Sequence, residues 1–158
     1  GLAGIAFCLL SPRLPLDNIA TRLKPGLALG AVKVGDQALD NIITETQDGR
    51  HLVLFLDRSR EDDQTRQAIE RINKALVYND TSATQVWGVA EQNEELAAQF
   101  LWTAGPAFEI RGAPPAFMRA MYRKLPRVAL IVNSKIVKVW NEFPDDATLQ
   151  ALARGENP

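Results

Sequence analysis

The sequence predicts an α/β domain in three layers, a central mixed sheet of about four strands flanked by helices. Three observations carry that expectation. His51-Leu52-Val53-Leu54-Phe55-Leu56 is an apolar run without alternation, the pattern of a strand covered on both faces. Residues 61–77 place Ala68, Ile69, Ile72, Ala75 and Leu76 along one helical stripe. Residues 128–132 and 136–140 are apolar runs on either side of Asn133-Ser134, as in a two-residue hairpin. A sequence of 158 residues is long enough for one domain with its own core.

The elements follow in order. Residues 1–10 are apolar and uncharged, and they stop at Ser11-Pro12-Arg13. Ten residues are about half of what a bilayer span requires. The segment reads as the end of a transmembrane helix, a signal-peptide remnant or a buried helix. Pro12, Pro15, Pro25, Gly26, Gly30 and Gly35 then punctuate an irregular lead-in. This divides the sequence into an N-terminal segment with linker, 1–24, and a folded domain, 25–158. Within the domain, 27–34 holds a short strand and 36–46 a short helix, with a turn at Asp48-Gly49 before the strand at 51–56. The helix at 61–77 carries Glu61, Asp62 and Asp63 in its first turn, where they complement its dipole. Asn79-Asp80 breaks it, and 84–89 is the second buried strand.

A helix at 91–102 sets Leu96, Ala97, Phe100 and Leu101 on one side and ends at Gly105-Pro106. Residues 108–110 are a brief extended piece. Pro114-Pro115 opens a third helix with Phe117, Met118 and Met121 inward, since proline is tolerated in a first turn. Leu125-Pro126 ends it before the hairpin. Asp145 caps a last helix carrying Leu149 and Leu152, and Gly155 stops it. Right-handed crossovers make the first two long strands parallel neighbours, with the hairpin as an antiparallel edge.

Composition removes several function classes. Eighteen basic and 19 acidic residues leave a net charge of −1, with no excess to neutralise nucleic-acid phosphates. The single cysteine, Cys8, cannot form an internal disulfide, and apolar neighbours make its thiol inert. One histidine, His51, excludes a histidine-rich metal cluster, and no motif calls for a metal or other cofactor. Asp57, Glu61, Asp62 and Asp63, interrupted by Arg58 and Arg60, lack the spacing of a calcium loop and read as a solvated face. Arg119, Arg123, Lys124 and Arg127 read as a solvated basic patch that would suit anionic headgroups near a membrane. Spacing makes most of Trp87, Trp102 and Trp140 core residues.

The element order and two local features resemble the thioredoxin-like superfamily. A buried strand runs through Asp57-Arg58-Ser59-Arg60 into a long helix, the junction where such oxidoreductases carry CxxC. There the helix N-terminus lowers a cysteine's pKa. Arg60 and Asp63 stand at the two matching positions. Leu125-Pro126-Arg127 before the 128–132 strand resembles the family's proline, usually cis, beside the redox pair. The stretch from Phe108 through Pro144 resembles, more narrowly, the C-terminal thioredoxin-like domains of DoxX-like bacterial membrane proteins. Those domains follow a bundle of transmembrane helices and often lack the cysteines.

The resemblance implies a domain without thiol–disulfide activity, because that exchange needs sulfur as both nucleophile and leaving group. It implies no catalytic residue, and a groove at Arg60, Asp63, Leu125, Pro126 and Arg127 that takes a protein or peptide partner by strand addition. It also implies membrane association through the N-terminal segment, with the domain in the periplasm; a soluble or secreted domain is the alternative. Competing functions are an enzyme using a non-cysteine nucleophile on a thioredoxin- or peroxiredoxin-like scaffold, or a structural subunit of a membrane assembly.

Overall fold

A computed structural model describes residues 22–60 and 62–158, so the apolar segment at 1–10, Cys8 and Glu61 lie outside the described residues. A small antiparallel hairpin, β1 (Lys33–Val34) and β2 (Gln37–Ala38), leads into a one-turn helix, α1 (Leu39–Ile42). Then follow β3 (Arg50–Leu56), α2 (Asp63–Ile72), β4 (Gln85–Glu91), α3 (Glu94–Ala104) and β5 (Ile110–Ala113). The fold ends with α4 (Pro115–Met121), β6 (Arg127–Val132), β7 (Lys135–Trp140) and α5 (Asp146–Ala153).

The main sheet has five strands in the order β5-β4-β3-β6-β7. β3 pairs in parallel with β4 and antiparallel with β6. The sheet is therefore mixed, as expected, with one strand more than the sequence predicts. The extra strand is β5, which starts at the end of the extended piece expected at 108–110 and continues through Gly112, a residue that pattern does not favour in a strand. It lies close to β4: a Cβ on Gly88 would meet Ile110 Cγ1 at 2.7 Å.

Central β3 explains the missing alternation. Val53 and Phe55 enter one core with Phe117, Met118 and Met121, while Leu52, Leu54 and Leu56 enter the other with Ile69, Ile72 and Phe100. Both faces are covered, so every position from 51 to 56 is buried. At the β6–β7 turn Asn133 and Ser134 have φ of 49° and 67°, the backbone of a tight two-residue hairpin.

Elsewhere the structure departs from the sequence-based expectation. Residues 27–34 hold a 3-10 turn, Leu29–Ala31, and only the two-residue β1. Residues 36–46 divide into β2, α1 and a 3-10 turn, Thr44–Gln47. The long helix changes winding at Asn73 and ends as a π-turn, Asn73–Val77. There the buried Asn73 amide donates to Gly105 O at 2.9 Å and accepts from Ala107 N at 3.0 Å, docking the loop after α3. β4 runs on to Glu91, and α3 begins at Glu94 behind Asn93, whose side chain accepts from Leu96 N. Trp102 is 88% exposed and Leu101 is 59% exposed, so neither belongs to the core.

Candidate functional site

The site grows from the end of β3. Past Leu56 the backbone leaves the sheet and must reach α2 in six residues. Asp57 Oδ1 accepts from Ser59 N at 3.0 Å and from Ser59 Oγ at 2.5 Å, tightening the first bend. Asp62 Oδ1 then accepts from Thr65 N at 2.7 Å and caps α2. That side-chain bond to Thr65, with the backbone contribution beside it, holds the Asp62 carboxyl below its ordinary pKa.

Arg60, at the bend, is half-exposed and lies 3.4 Å from Asp62 through Nε. Its Nη1 donates to Leu125 O at 3.3 Å. The Leu125–Pro126 peptide is cis. Arg60, Leu125 and Pro126 therefore share one small depression, with Thr65 and Phe143 also on its wall. Asp63 does not join them. It is 77% exposed, pairs with Arg66, and faces a separate hollow bounded by Glu70 and Thr103.

Arg127 is placed differently from the solvated patch read in the sequence. It is 1% exposed, and its Nη1 donates to Met121 O at 2.7 Å, tying the end of α4 to β6. Arg119, Arg123 and Lys124 are exposed.

The larger opening lies on the other side of the 57–60 bend. A cavity of about 250 Å³ sits at the carboxyl ends of β3 and β4. Ligands of open α/β sheets bind outside the carboxyl ends of strands. Leu96, Met118 and Leu125 supply apolar lining, and Glu91 and Tyr122 supply polar groups. Arg58 also lines it and is 9% exposed, not a member of a solvated face. Burial pushes its guanidinium below the ordinary arginine pKa. Burial likewise pushes the Tyr122 phenol up, helped by the nearby charges of Glu91 and Asp57. Among the described residues no group of three or more His, Cys, Asp or Glu side chains could hold a metal ion.

No protein-family model matches this sequence, and no curated protein matches it. Solved structures do. The thioredoxin domain of a thiol-disulfide oxidoreductase from Bacteroides vulgatus superposes with a TM-score of 0.58 at 14% identity, covering 85% of this chain and 93% of that one. A secreted Mycobacterium tuberculosis disulfide oxidoreductase homologous to E. coli DsbE gives 0.56 at 11% identity, over 71% and 85%. The chain has the thioredoxin fold. A mutant of Xylella fastidiosa PrxQ is similar at 0.57 and 14% identity, over 72% and 81%. Within the thioredoxin fold of this chain, the junction after β3 lies beside the cis proline through the contact of Arg60 with Leu125.

Sequence reasoning missed Arg58, Glu91 and Tyr122 as partners around one cavity. The available signal was position: Arg58 is the second residue after a strand buried from His51 to Leu56, and it comes before a helix. Among the described residues no helix is long and apolar enough to cross a membrane.

Proposed function

We propose that this protein is a redox-inactive binding domain that presents the groove beside Pro126 to a protein or peptide segment. One observation carries the reading. The sequence between β3 and α2 and into its first turn reads Asp57-Arg58-Ser59-Arg60-Glu61-Asp62-Asp63, contains no sulfur, and comes to the cis proline through Arg60. Disulfide exchange needs a thiolate nucleophile and a sulfur leaving group, and a lone Cys8 outside this junction cannot supply both. What the junction offers instead is hydrogen bonding. Arg60 sits on Leu125 O through one long, half-exposed contact. An extended segment laid against residues 124–126 would displace that contact and take its place on the backbone.

The same reading puts the domain on the periplasmic face of a bacterial inner membrane, held by the apolar segment at 2–10. Its supports are the uncharged composition of that segment and the resemblance to domains of DoxX-like proteins.

The test is a selection of peptides on the immobilised full-length protein, repeated with Arg60→Trp, which fills the depression beside Leu125. Peptides whose binding falls at least tenfold in the variant support the groove. Selection of none, or of peptides indifferent to Arg60→Trp, removes it. Insulin reduction by dithiothreitol should proceed at the uncatalysed rate in the presence of the protein, and acceleration would end the redox-inactive reading. Fractionation of the full-length protein should recover it with membranes; recovery wholly in the soluble fraction would end the tethering.

A further inference from the structure

Among the described residues, Arg58 is a buried cation that the fold leaves unneutralised. Its hydrogen bond to protein runs from Nη2 to Glu91 O at 2.8 Å. Its Nε is buried without an acceptor, and no carboxylate among the described residues stands within ion-pair distance of it. A guanidinium carries five N–H donors in a planar fork. A buried charged group without a counter-charge is expensive to maintain, and stability alone gives no reason to keep one at a cavity wall.

The surroundings narrow what would complete it. The fork matches a carboxylate, which accepts two parallel bonds. Asp57 and Glu91 stand at the same cavity and disfavour a multiply charged anion such as phosphate. Leu96, Met118 and Leu125 offer apolar surface to the atoms that carry the charged group. A volume of about 250 Å³ admits one amino-acid-sized group and no more.

We propose that Arg58 and its cavity form the specificity subsite of this domain, receiving a single carboxylate borne on an apolar stem from a peptide. The carboxylate comes from a peptide's C-terminus or from an acidic side chain. The inference deepens the binding-domain reading and rests on it.

The test is titration of the full-length protein, 15N-labelled at arginine, followed by NMR at the Arg58 Nε–H. Four probes are used: N-acetylleucine, N-acetylglutamate α-methylamide, N-acetylleucine amide and inorganic phosphate. At least one of the two acids should shift the signal saturably at millimolar concentration, and which acid does so separates a peptide terminus from a side chain. The neutral amide and phosphate should bind at least about tenfold more weakly, a difference of about 1.4 kcal/mol. Arg58→Gln should weaken the acid about tenfold, read at Tyr122. If Arg58→Gln fails to fold, Leu96→Trp serves instead. It leaves the guanidinium in place, narrows the cavity, and should cause a similar loss.

Equal binding of acid and amide, tighter binding of phosphate, or no shift at on the order of 50 mM would each overturn the subsite. So would full affinity in a folded Arg58→Gln or Leu96→Trp variant. The two proposals fail separately. Peptides that depend on Arg60 but not on Arg58 would keep the groove and remove the subsite. Acid binding at Arg58, with no peptide sensitive to Arg60→Trp, would remove the groove beside Pro126.

Discussion

Arg111 on β5 and Arg58 past the end of β3 are the same side chain in two surroundings. Arg111 is held on every side. Its Nη2 donates to Glu45 Oε1 at 2.6 Å and to Glu109 Oε2 at 3.1 Å, its Nε to Glu109 Oε1 at 3.0 Å, and its Nη1 to Ile42 O at 3.1 Å. Its guanidinium also lies 5.3 Å from the centre of the Trp87 ring. Arg58, more deeply buried, has one carbonyl among the described residues. The two acids push the Arg111 pKa up, whereas burial pushes that of Arg58 down. An arginine paired with two acids fastens β5 to the turn at Thr44–Gln47; one buried at a cavity with no acid partner among the described residues awaits its counter-charge from outside. The difference separates a brace from a binding group, and substitutions can break or sharpen it.

The largest effect should come from the brace. Arg111→Met strands Glu45 and Glu109 and frees Ile42 O, and the loss should be about 2–3 kcal/mol by urea denaturation. The partial exposure of the ion pairs keeps the figure this low. A change below about 0.5 kcal/mol would mean that the brace is ornamental. Trp87→Phe should follow at about 1–2 kcal/mol. Trp87 Nε1 donates to Nδ1 of buried His51 at 3.0 Å, so the ring proton sits on Nε2 and is donated to Asp48 O at 2.6 Å. Phenylalanine keeps the packing and leaves Nδ1 without its donor.

A smaller effect appears in acid. The hydrogen bond to Arg111 lowers the Glu45 carboxyl from its ordinary 4.5 to about 2. A carboxyl depressed in the folded state contributes stability that is complete above about 4.5 and is lost as pH falls towards 2. Urea midpoints between those limits should decline less steeply in Glu45→Gln than in the parent protein. Parallel curves would show that the pair is not coupled to folding.

How much of this is open to the sequence depends on what the residues report. The apolar run at 51–56 reports burial on both faces, and Asn133-Ser134 between apolar strands reports a hairpin; both signals are local, and the fold follows from them. Pro126 beside a buried strand marks the place that Arg60 reaches. Arg58 is invisible, because a charged residue within an acidic stretch looks the same whether it is solvated or turned into a wall. Arg127 misleads for the same reason. Leu101 misleads in the opposite direction: helical spacing sets it beside Phe100, yet it is exposed and the helix buries only Phe100 deeply. Burial of a polar residue depends on distant elements meeting around it, here β3, β4 and α4, and no local pattern encodes that meeting.

The smallest effect should be the most telling. Arg58→Met removes a buried charge and one hydrogen bond, and methionine's flexible apolar side chain fits among Leu96, Met118 and Leu125. Relief of the desolvation penalty offsets the lost bond to Glu91 O, so stability should change by less than about 1 kcal/mol, and in the stabilising direction. An arginine that braces two carboxylates should instead lose stability on the same change, because its partners are left without their cation; Arg111→Met is the internal control, measured in the same urea titration. If Arg58→Met instead destabilised the protein as much as Arg111→Met, Arg58 would be a second brace whose counter-charge is supplied within the fold. The cavity at the end of β3 would then lose its reason for holding a cation.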